Sequence, residues 1–398
     1  MSETSSEKLW NKSFIFCLCN NLFLFTYYFA LLTVLPIYIM KDLGGTVQEA
    51  GLALTLFLIS SIAVRPFSGL IAQKLGNKLS FRGSELFFIF FAFSYLWIDS
   101  MWSLLLIRFL HGIWFSILTT VTVPVANDFI PEKQKGEGMG YFVMSTNLGV
   151  VIGPLIGLTV IQYFSFSVLF LILSILMSIG FIFCLFIPVI DSSAQYLQKK
   201  SKKTSLNIHD IIETKAIPVG LVAMLTALSY SSVMSFITAF SEDKSLLEYA
   251  SLFFIVFALS MIIVRPFVGR MFDSKGPNAV IYPSFIFFAL GLLVVGFVAD
   301  LWMLLLSAVL IGIGYGTLFP CLQTIAIQAV SKERMGHAIS TFFTLFDVGL
   351  ALGSVIMGIC IAYIGFENTY FLCACIIFIT LILYKTKVAS SVFKQKAI

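Results

Sequence analysis

The sequence predicts an all-α membrane protein with twelve transmembrane helices in two pseudo-symmetric six-helix bundles, and three observations carry that prediction. Hydrophobic residues make up 59% of the 398 and charged residues only 11%, where a soluble domain carries about 25% charged residues. Apolar runs of at least 20 residues recur from end to end, each long enough to cross the roughly 30 Å hydrocarbon core of a bilayer. A block around Arg65 returns 200 positions later with its register kept, the mark of a duplicated unit. With so little polar surface, the chain has lipid as its main solvent.

The apolar runs place spans at 13–40, 47–73, 81–99, 102–128, 137–163 and 166–189. After a polar gap come 215–240, 246–272, 279–299, 302–329, 335–363 and 367–385. The first span follows a mostly polar stretch of 12 residues. It is too long for a removable signal peptide and lacks a small-residue cleavage site, so it reads as a retained helix. With the N-terminus in the cytoplasm, 20 of the 25 Lys and Arg fall on the cytoplasmic side, among them Lys74, Lys78, Arg82, Lys133, Lys135, Lys332 and Arg334. Only Lys41 and Lys244 fall outside, and Arg65, Arg108 and Arg265 lie within spans. The positive-inside rule therefore predicts cytoplasmic termini for a multi-pass protein of a plasma or inner membrane.

Residues 190–214, with Lys199, Lys200, Lys202, Lys203 and His209, read as a cytoplasmic linker between bundles at 1–189 and 215–398. The net charge of +5 reflects this asymmetry and calls for no nucleic acid. The seven Cys sit inside spans, where Cys behaves as a small apolar residue. They give no disulfide framework, and Cys373-Ala-Cys375 has no His or carboxylate near it to complete a metal site.

The repeat is specific. Val64-Arg65-Pro66-Phe67-Ser68-Gly69 returns as Val264-Arg265-Pro266-Phe267-Val268-Gly269. The same offset matches Trp102 to Trp302, Gly112 to Gly312, Gly149 to Gly349 and Gly153 to Gly353. Two six-span halves with both termini inside are parallel repeats about an axis along the membrane normal. That geometry predicts a substrate site near the midplane and alternating access by rocking.

The loop after span two reads Gly69-Leu-Ile-Ala-Gln73-Lys74-Leu-Gly76, and its copy reads Gly269-Arg-Met-Phe-Asp273-Ser-Lys275-Gly276. Span five reads Gly149-Val-Val-Ile-Gly153-Pro154-Leu-Ile-Gly157-Leu158, which strips one helix face so that another helix can approach closely. Together the duplicated loops and the glycine-rich span resemble the major facilitator superfamily, closest to its twelve-helix drug:proton antiporter branch. The resemblance implies that the acid at the fifth loop position latches a neighbouring helix N-terminus. Since the first copy carries Gln73 and only the second keeps Asp273, the latch is expected to be lopsided; the bland alternative is a plain basic turn. The resemblance also implies an interface between halves at the span-five glycines and tilts the reading towards export.

Arg108-Phe-Leu-His111-Gly112 in span four resembles the family's Arg-x-x-Gln-Gly motif. An intramembrane Arg needs a wet cavity or a partner. His111, one turn on, either carries or modulates a proton or bonds between helices. Asp347 lies ~18 Å along span eleven at 1.5 Å per residue, near the bilayer centre, where a carboxylate that takes up and releases a proton can couple transport. Its repeat counterpart Asn147 cannot titrate. Arg65 and Arg265 are expected to snorkel to the interface or to serve the moving one, with Glu85 a candidate partner for Arg65 and Arg82 a competitor for that acid.

Gly312-Ile-Gly314-Tyr-Gly316 lies in a span with no strand before it and is no dinucleotide loop, and no phosphate loop is present. No cofactor or enzymatic activity is implied, and transport is expected to run on an existing gradient. The sequence therefore leads to a proton-coupled exporter of a small organic molecule, working as a monomer. An exporter of an endogenous metabolite stands as the alternative, and a proton-coupled nutrient importer as a third reading. Tyr27, Tyr28, Trp114, Asn147, Tyr230 and Gln323 are the expected cavity residues; Asp347, His111, Arg108 and Glu85 are the expected proton-handling ones. The first span has no acid before Lys41, so a neutral, zwitterionic or anionic solute suits the chain at least as well as a cation.

Overall fold

The structure, a computed structural model, describes residues 8–189 and 211–389. The linker residues Lys199, Lys200, Lys202, Lys203 and His209 lie outside the described residues. The helices are α1 (Lys12–Lys41), α2 (Val47–Leu75), α3 (Asn77–Ser94), α4 (Met101–Asp128), α5 (Lys135–Tyr163) and α6 (Phe166–Phe186). There follow α7 (Ile217–Asp243), α8 (Ala250–Lys275), α9 (Pro277–Gly296) and α10 (Leu301–Gln328). The last long helix, Met335–Tyr384, breaks at Gly365 with φ 80° and ψ 171°, and its limbs 335–364 and 366–384 are α11 and α12. Eleven described stretches are long and apolar enough to cross a membrane, the last running 58 residues from Lys332 to Ala389. The Gly365 break divides that one, which restores the twelve spans.

Local chemistry sets the helix ends. Asn11 accepts from the Phe14 N–H at 2.9 Å, Thr46 and Glu49 form a reciprocal capping box, and Asp300 accepts from the Met303 N–H at 2.9 Å; each satisfies an amide that the helix leaves open. Gly76 and Gly276 both sit at φ 87°. A single residue in that left-handed region turns α2 into α3 and α8 into α9, a conformation that glycine adopts at no steric cost. Trp102 and Trp302 are 83% and 77% exposed at the starts of α4 and α10, where an amphipathic ring suits the membrane–water boundary.

The chain forms two compact units. The first holds Met1–Pro131, Tyr141–Ile212 and Ser331–Ser340, and the second holds Glu132–Gly140, Glu213–Val330 and Thr341–Ile398. The short segments 132–140 and 331–340 are each the entry to the fifth helix of one repeat. In the first unit α4 packs on α2 and α3, and α6 packs on α1 and α3. In the second, α10 packs on α8 and α9, the same arrangement 200 positions on. The repeat extends to single contacts. Ser60 donates to the Phe57 carbonyl at 3.0 Å and Ser260 to that of Phe257 at 2.8 Å, and Gly112 and Gly312 face these pairs with no room for a side chain.

Candidate functional site

In the first unit α5 lies directly on α1. A methyl group on Gly153 would stand 2.7 Å from the Thr26 carbonyl oxygen and 2.8 Å from the Ala30 nitrogen. Gly149 faces Phe25 and Thr26 in the same way, and Gly157 faces Val34. The stripe around Pro154 therefore serves contact with α1 inside the first unit. Above it Asn21 donates to Ser145 Oγ at 2.8 Å and Thr146 Oγ1 at 2.9 Å, a polar clasp at the head of a small-residue seam. Neither Asn20 nor Asn21 stood out in the sequence; polar residues one helical turn or less from a glycine-matched helix are the signal that marks them.

Arg108 and His111 sit in an aromatic shell of the same unit. Arg108 Nε donates to the Ala53 carbonyl at 3.2 Å and Nη1 to the Tyr95 hydroxyl at 3.5 Å. The guanidinium lies 4.3 Å from the centre of the Phe57 ring, a cation–π distance. His111 Nδ1 is 3.5 Å from the same Tyr95 hydroxyl, and the rings of Phe88, Tyr27 and Tyr95 stand 4.0, 5.5 and 5.8 Å from its own. Tyr28 belongs to the same cluster, stacked on Phe115 at 4.9 Å. Trp114 does not. It stacks on Phe87 at 4.2 Å, and Phe87 is 47% exposed among the outward residues of α3, so Trp114 leaves the set of cavity residues.

Glu85 is fully buried and accepts from Asn20 Nδ2 at 3.0 Å, with the Cys184 thiol beside it. It is therefore no partner of Arg65, which donates to Thr119 Oγ1 at 3.1 Å and Ser61 Oγ at 3.4 Å. Arg82 does not compete for it either, because its Nη2 donates to the carbonyls of Leu185 and Ile187 at 2.8 and 3.4 Å. Arg65 and Arg265 are 5% and 3% exposed, so neither snorkels. Arg265 keeps Nε and Nη2 buried with no hydrogen bond. Its counterparts to Ser61 and Thr119 are Met261 and Phe319, and the second repeat has lost the hydroxyls that serve the first.

The duplicated loops meet the starts of α5 and α11. Asp273 accepts from the N–H of Gly136 at 2.7 Å and of Glu137 at 2.9 Å, all within the second unit. These are first-turn amides without an intrahelical acceptor, and a carboxylate there also meets the positive end of the helix dipole. Glu137 in turn pairs with Arg270 at 3.5 Å. Within the first unit, His337 Nε2–H donates to Gln73 Oε1 at 2.9 Å, and Ser340 Oγ donates to the Arg65 carbonyl. Gly69 and Gly269 abut Gly336 and Glu137. The two copies are thus uneven in charge, yet both engage a helix start. His337 was invisible to motif reading, because its repeat counterpart is Glu137.

In the second unit Tyr230 stacks on Tyr315 at 3.5 Å and 10°, a pairing that the sequence did not single out. Gln323 is 1% exposed with Oε1 unbonded. Asn147 Nδ2, in the first unit, is likewise buried without a partner. Asp347 lies half-buried on α11, 12 residues after Met335. No group of three or more His, Cys, Asp or Glu that could hold a metal occurs among the described residues.

The family model described as Major Facilitator Superfamily matches residues 16–278 and 219–396. The multidrug resistance protein MdtG of Proteus mirabilis (strain HI4320) is 25% identical over 370 residues, which cover 87% of this chain and 89% of that one. The multi-drug resistance efflux pump PmrA homolog of Lactococcus lactis subsp. lactis (strain IL1403) is 22% identical, over 84% of each chain. The fold resembles the human organic anion transporter MFSD10 (TETRAN) with a TM-score of 0.79 at 15% identity, over 94% of this chain and 98% of that one. It also resembles the proton:xylose symporter XylE with a TM-score of 0.75 at 12% identity, over 96% of each chain. The relatives and the fold are those of membrane transporters, not of enzymes, and the chain belongs to the major facilitator superfamily.

Proposed function

We propose that this chain is a proton-coupled exporter of small organic molecules in a cell membrane, with both termini in the cytoplasm. The observation that carries export is the α5 stripe. Gly149, Gly153, Pro154 and Gly157 follow the pattern shared with facilitator exporters, and they press α5 onto α1 closely enough to exclude leak along that seam. The relatives named for multidrug resistance, matched over most of their length, support the same reading.

In the proposed cycle, substrate enters from the cytoplasm; Tyr27, Tyr28 and Asn147 in the first unit are proposed to serve it, as are Tyr230 and Gln323 in the second. A proton from outside neutralises Asp347 and favours the return of the empty carrier; Asn147 at the equivalent position takes no proton. Coupling requires that proton and substrate favour different conformations. The contacts of Asp273 and Gln73 with the starts of α5 and α11 hold one such conformation. One pH unit is worth about 1.4 kcal/mol per proton and 100 mV about 2.3 kcal/mol per charge. The sum is enough for accumulation of a neutral solute by a few hundred-fold per proton.

Inverted vesicles with an imposed inside-acid gradient and a panel of dyes and metabolites test this. Export is read as gradient-driven accumulation, and movement in the opposite sense sinks it. Asp347→Asn is expected to abolish gradient-driven accumulation while leaving substrate exchange in the absence of a gradient. Unchanged coupling in that variant removes Asp347 from the mechanism. A second reading, export of an endogenous metabolite, is favoured by one observation: among the described residues Arg108 makes no ion pair with an acid.

A further inference from the structure

Arg108 is a buried cation without a counter-ion. It is 2% exposed, seven residues into α4, and among the described residues it makes no ion pair and meets the Ala53 carbonyl, the Tyr95 hydroxyl and the Phe57 ring. Glu85, the buried acid of the same unit, is held by Asn20. Leaving a guanidinium in a dry site uncompensated is expensive, and an arriving anion offsets that cost.

The geometry favours one class of anion. Nη2 of Arg108 makes no hydrogen bond among the described residues, and unlike the nitrogens of Arg265 it is not sealed in. A guanidinium offers a planar fork that fits a carboxylate. Beside it the rings of Phe57, Tyr28 and Phe115 pack on one another, with centroids 5.5 Å apart for Phe57 and Tyr28 and 4.9 Å for Tyr28 and Phe115. Among the described residues no lysine or second arginine joins the cluster, so the site matches a single negative charge.

We infer that Arg108 is the recognition residue for a monoanionic aromatic carboxylate, whose carboxylate takes the guanidinium fork and whose ring meets the border of the Phe57, Tyr28 and Phe115 cluster. The inference rests on the transport reading above and names its solute class; it moves Arg108 from proton handling to substrate binding. His111 then completes the aromatic wall.

The probes are 2-naphthoate and its isosteric neutral amide, 2-naphthamide, titrated against the purified full-length protein in detergent, with thermal unfolding as the readout. Naphthoate is expected to raise the Tm and naphthamide to leave it unchanged. Arg108→Lys, which keeps the charge and loses the fork, is expected to weaken naphthoate binding about 10- to 100-fold, the span of a charge-assisted hydrogen bond. Equal binding of the two probes to the native protein overturns the inference without any variant, as does undiminished naphthoate binding by Arg108→Lys. Gradient-driven export of dyes in inverted vesicles separates the two claims. Export without naphthoate discrimination leaves the transport reading standing and ends this one. Naphthoate discrimination in a protein that exports nothing against a gradient ends the export reading and keeps the site.

Discussion

Replacing Asp273 by Asn keeps the shape of the side chain and removes its charge, at a position where both carboxylate oxygens accept backbone amides of the first turn of α5. A hydrogen bond to a charged acceptor contributes about 1.5–3 kcal/mol, and a carboxylate at a helix N-terminus adds about 0.3–1 kcal/mol. Asn retains one acceptor of ordinary strength, so the loss is about 2 kcal/mol. Through 1.4 kcal/mol per tenfold, that is about 30-fold in the opening equilibrium of this contact. Hydrogen exchange of peptides covering 132–140 reads it directly, because the amides of Gly136 and Glu137 are the donors. Exchange there is expected to speed up about 30-fold, while peptides from α6 keep their native rates. Arg270→Ala is the control. Its bond to Glu137 is 3.5 Å with the Arg side chain 68% exposed, so its loss is worth below about 1 kcal/mol and the acceleration stays below about fivefold. Unchanged exchange in Asp273→Asn, or an equal effect from Arg270→Ala, would refute the idea that the carboxylate holds the start of α5.

Gly153→Val pushes a branched side chain against the backbone of α1, where even a methyl carbon would stand 2.7 Å from the Thr26 oxygen. Overpacking of this kind costs about 1–3 kcal/mol, to be seen as a lower unfolding temperature in detergent together with faster proton leak in proteoliposomes. The double variant Met261→Ser with Phe319→Thr gives Arg265 the two hydroxyls that Arg65 has. It is expected to unfold at a higher temperature than Met261→Ala with Phe319→Ala, which loses the same packing, because each new hydrogen bond contributes about 0.5–1.5 kcal/mol. Equal unfolding temperatures of the two double variants show that Arg265 has no use for the hydroxyls.

The twelve spans, the duplication and the paired turns were legible because hydrophobic length and glycine spacing are local signals. The span-five stripe was legible as a packing face for the same reason, but its partner was not, since one stripe fits any neighbouring helix; the structure supplies α1. Side-chain partners were the least legible. Glu85 stood at a suitable level for Arg65, yet a carboxyl on α3 can turn to α1 and α6, and Asn20 on α1 holds it there. Trp114 carried the composition of a binding residue, and one helical facing decided that it stacks on Phe87 instead. The latch shows the converse. Gln73 broke the family pattern, and His337 restored a contact that no single-loop motif reports.

The repeat separates what both units need from what only one does. Phe57 and Phe257, Ser60 and Ser260, Phe88 and Phe288, and Gly112 and Gly312 are kept at matching positions; these are packing residues, and the shared contacts follow from them. Apart from Arg65 and Arg265 and a few serines, the buried polar and charged residues singled out above are not kept. Arg108, His111, Glu85 and Tyr95 face Ala308, Ile311, Phe285 and Val295 across the repeat, while Asp347 and Asp273 face Asn147 and Gln73. The first unit therefore holds Arg108 with its aromatic shell, and the second holds the mid-span acid Asp347. Maintaining an ionisable group in a membrane interior is costly, so a duplicated fold gains nothing from carrying each one twice unless both copies act. Loss of the second copy at position after position fits a division of labour, with solute recognised in the first unit and the proton taken up in the second. On that division, a variant at Arg108 changes which solute is moved and a variant at Asp347 changes what drives it.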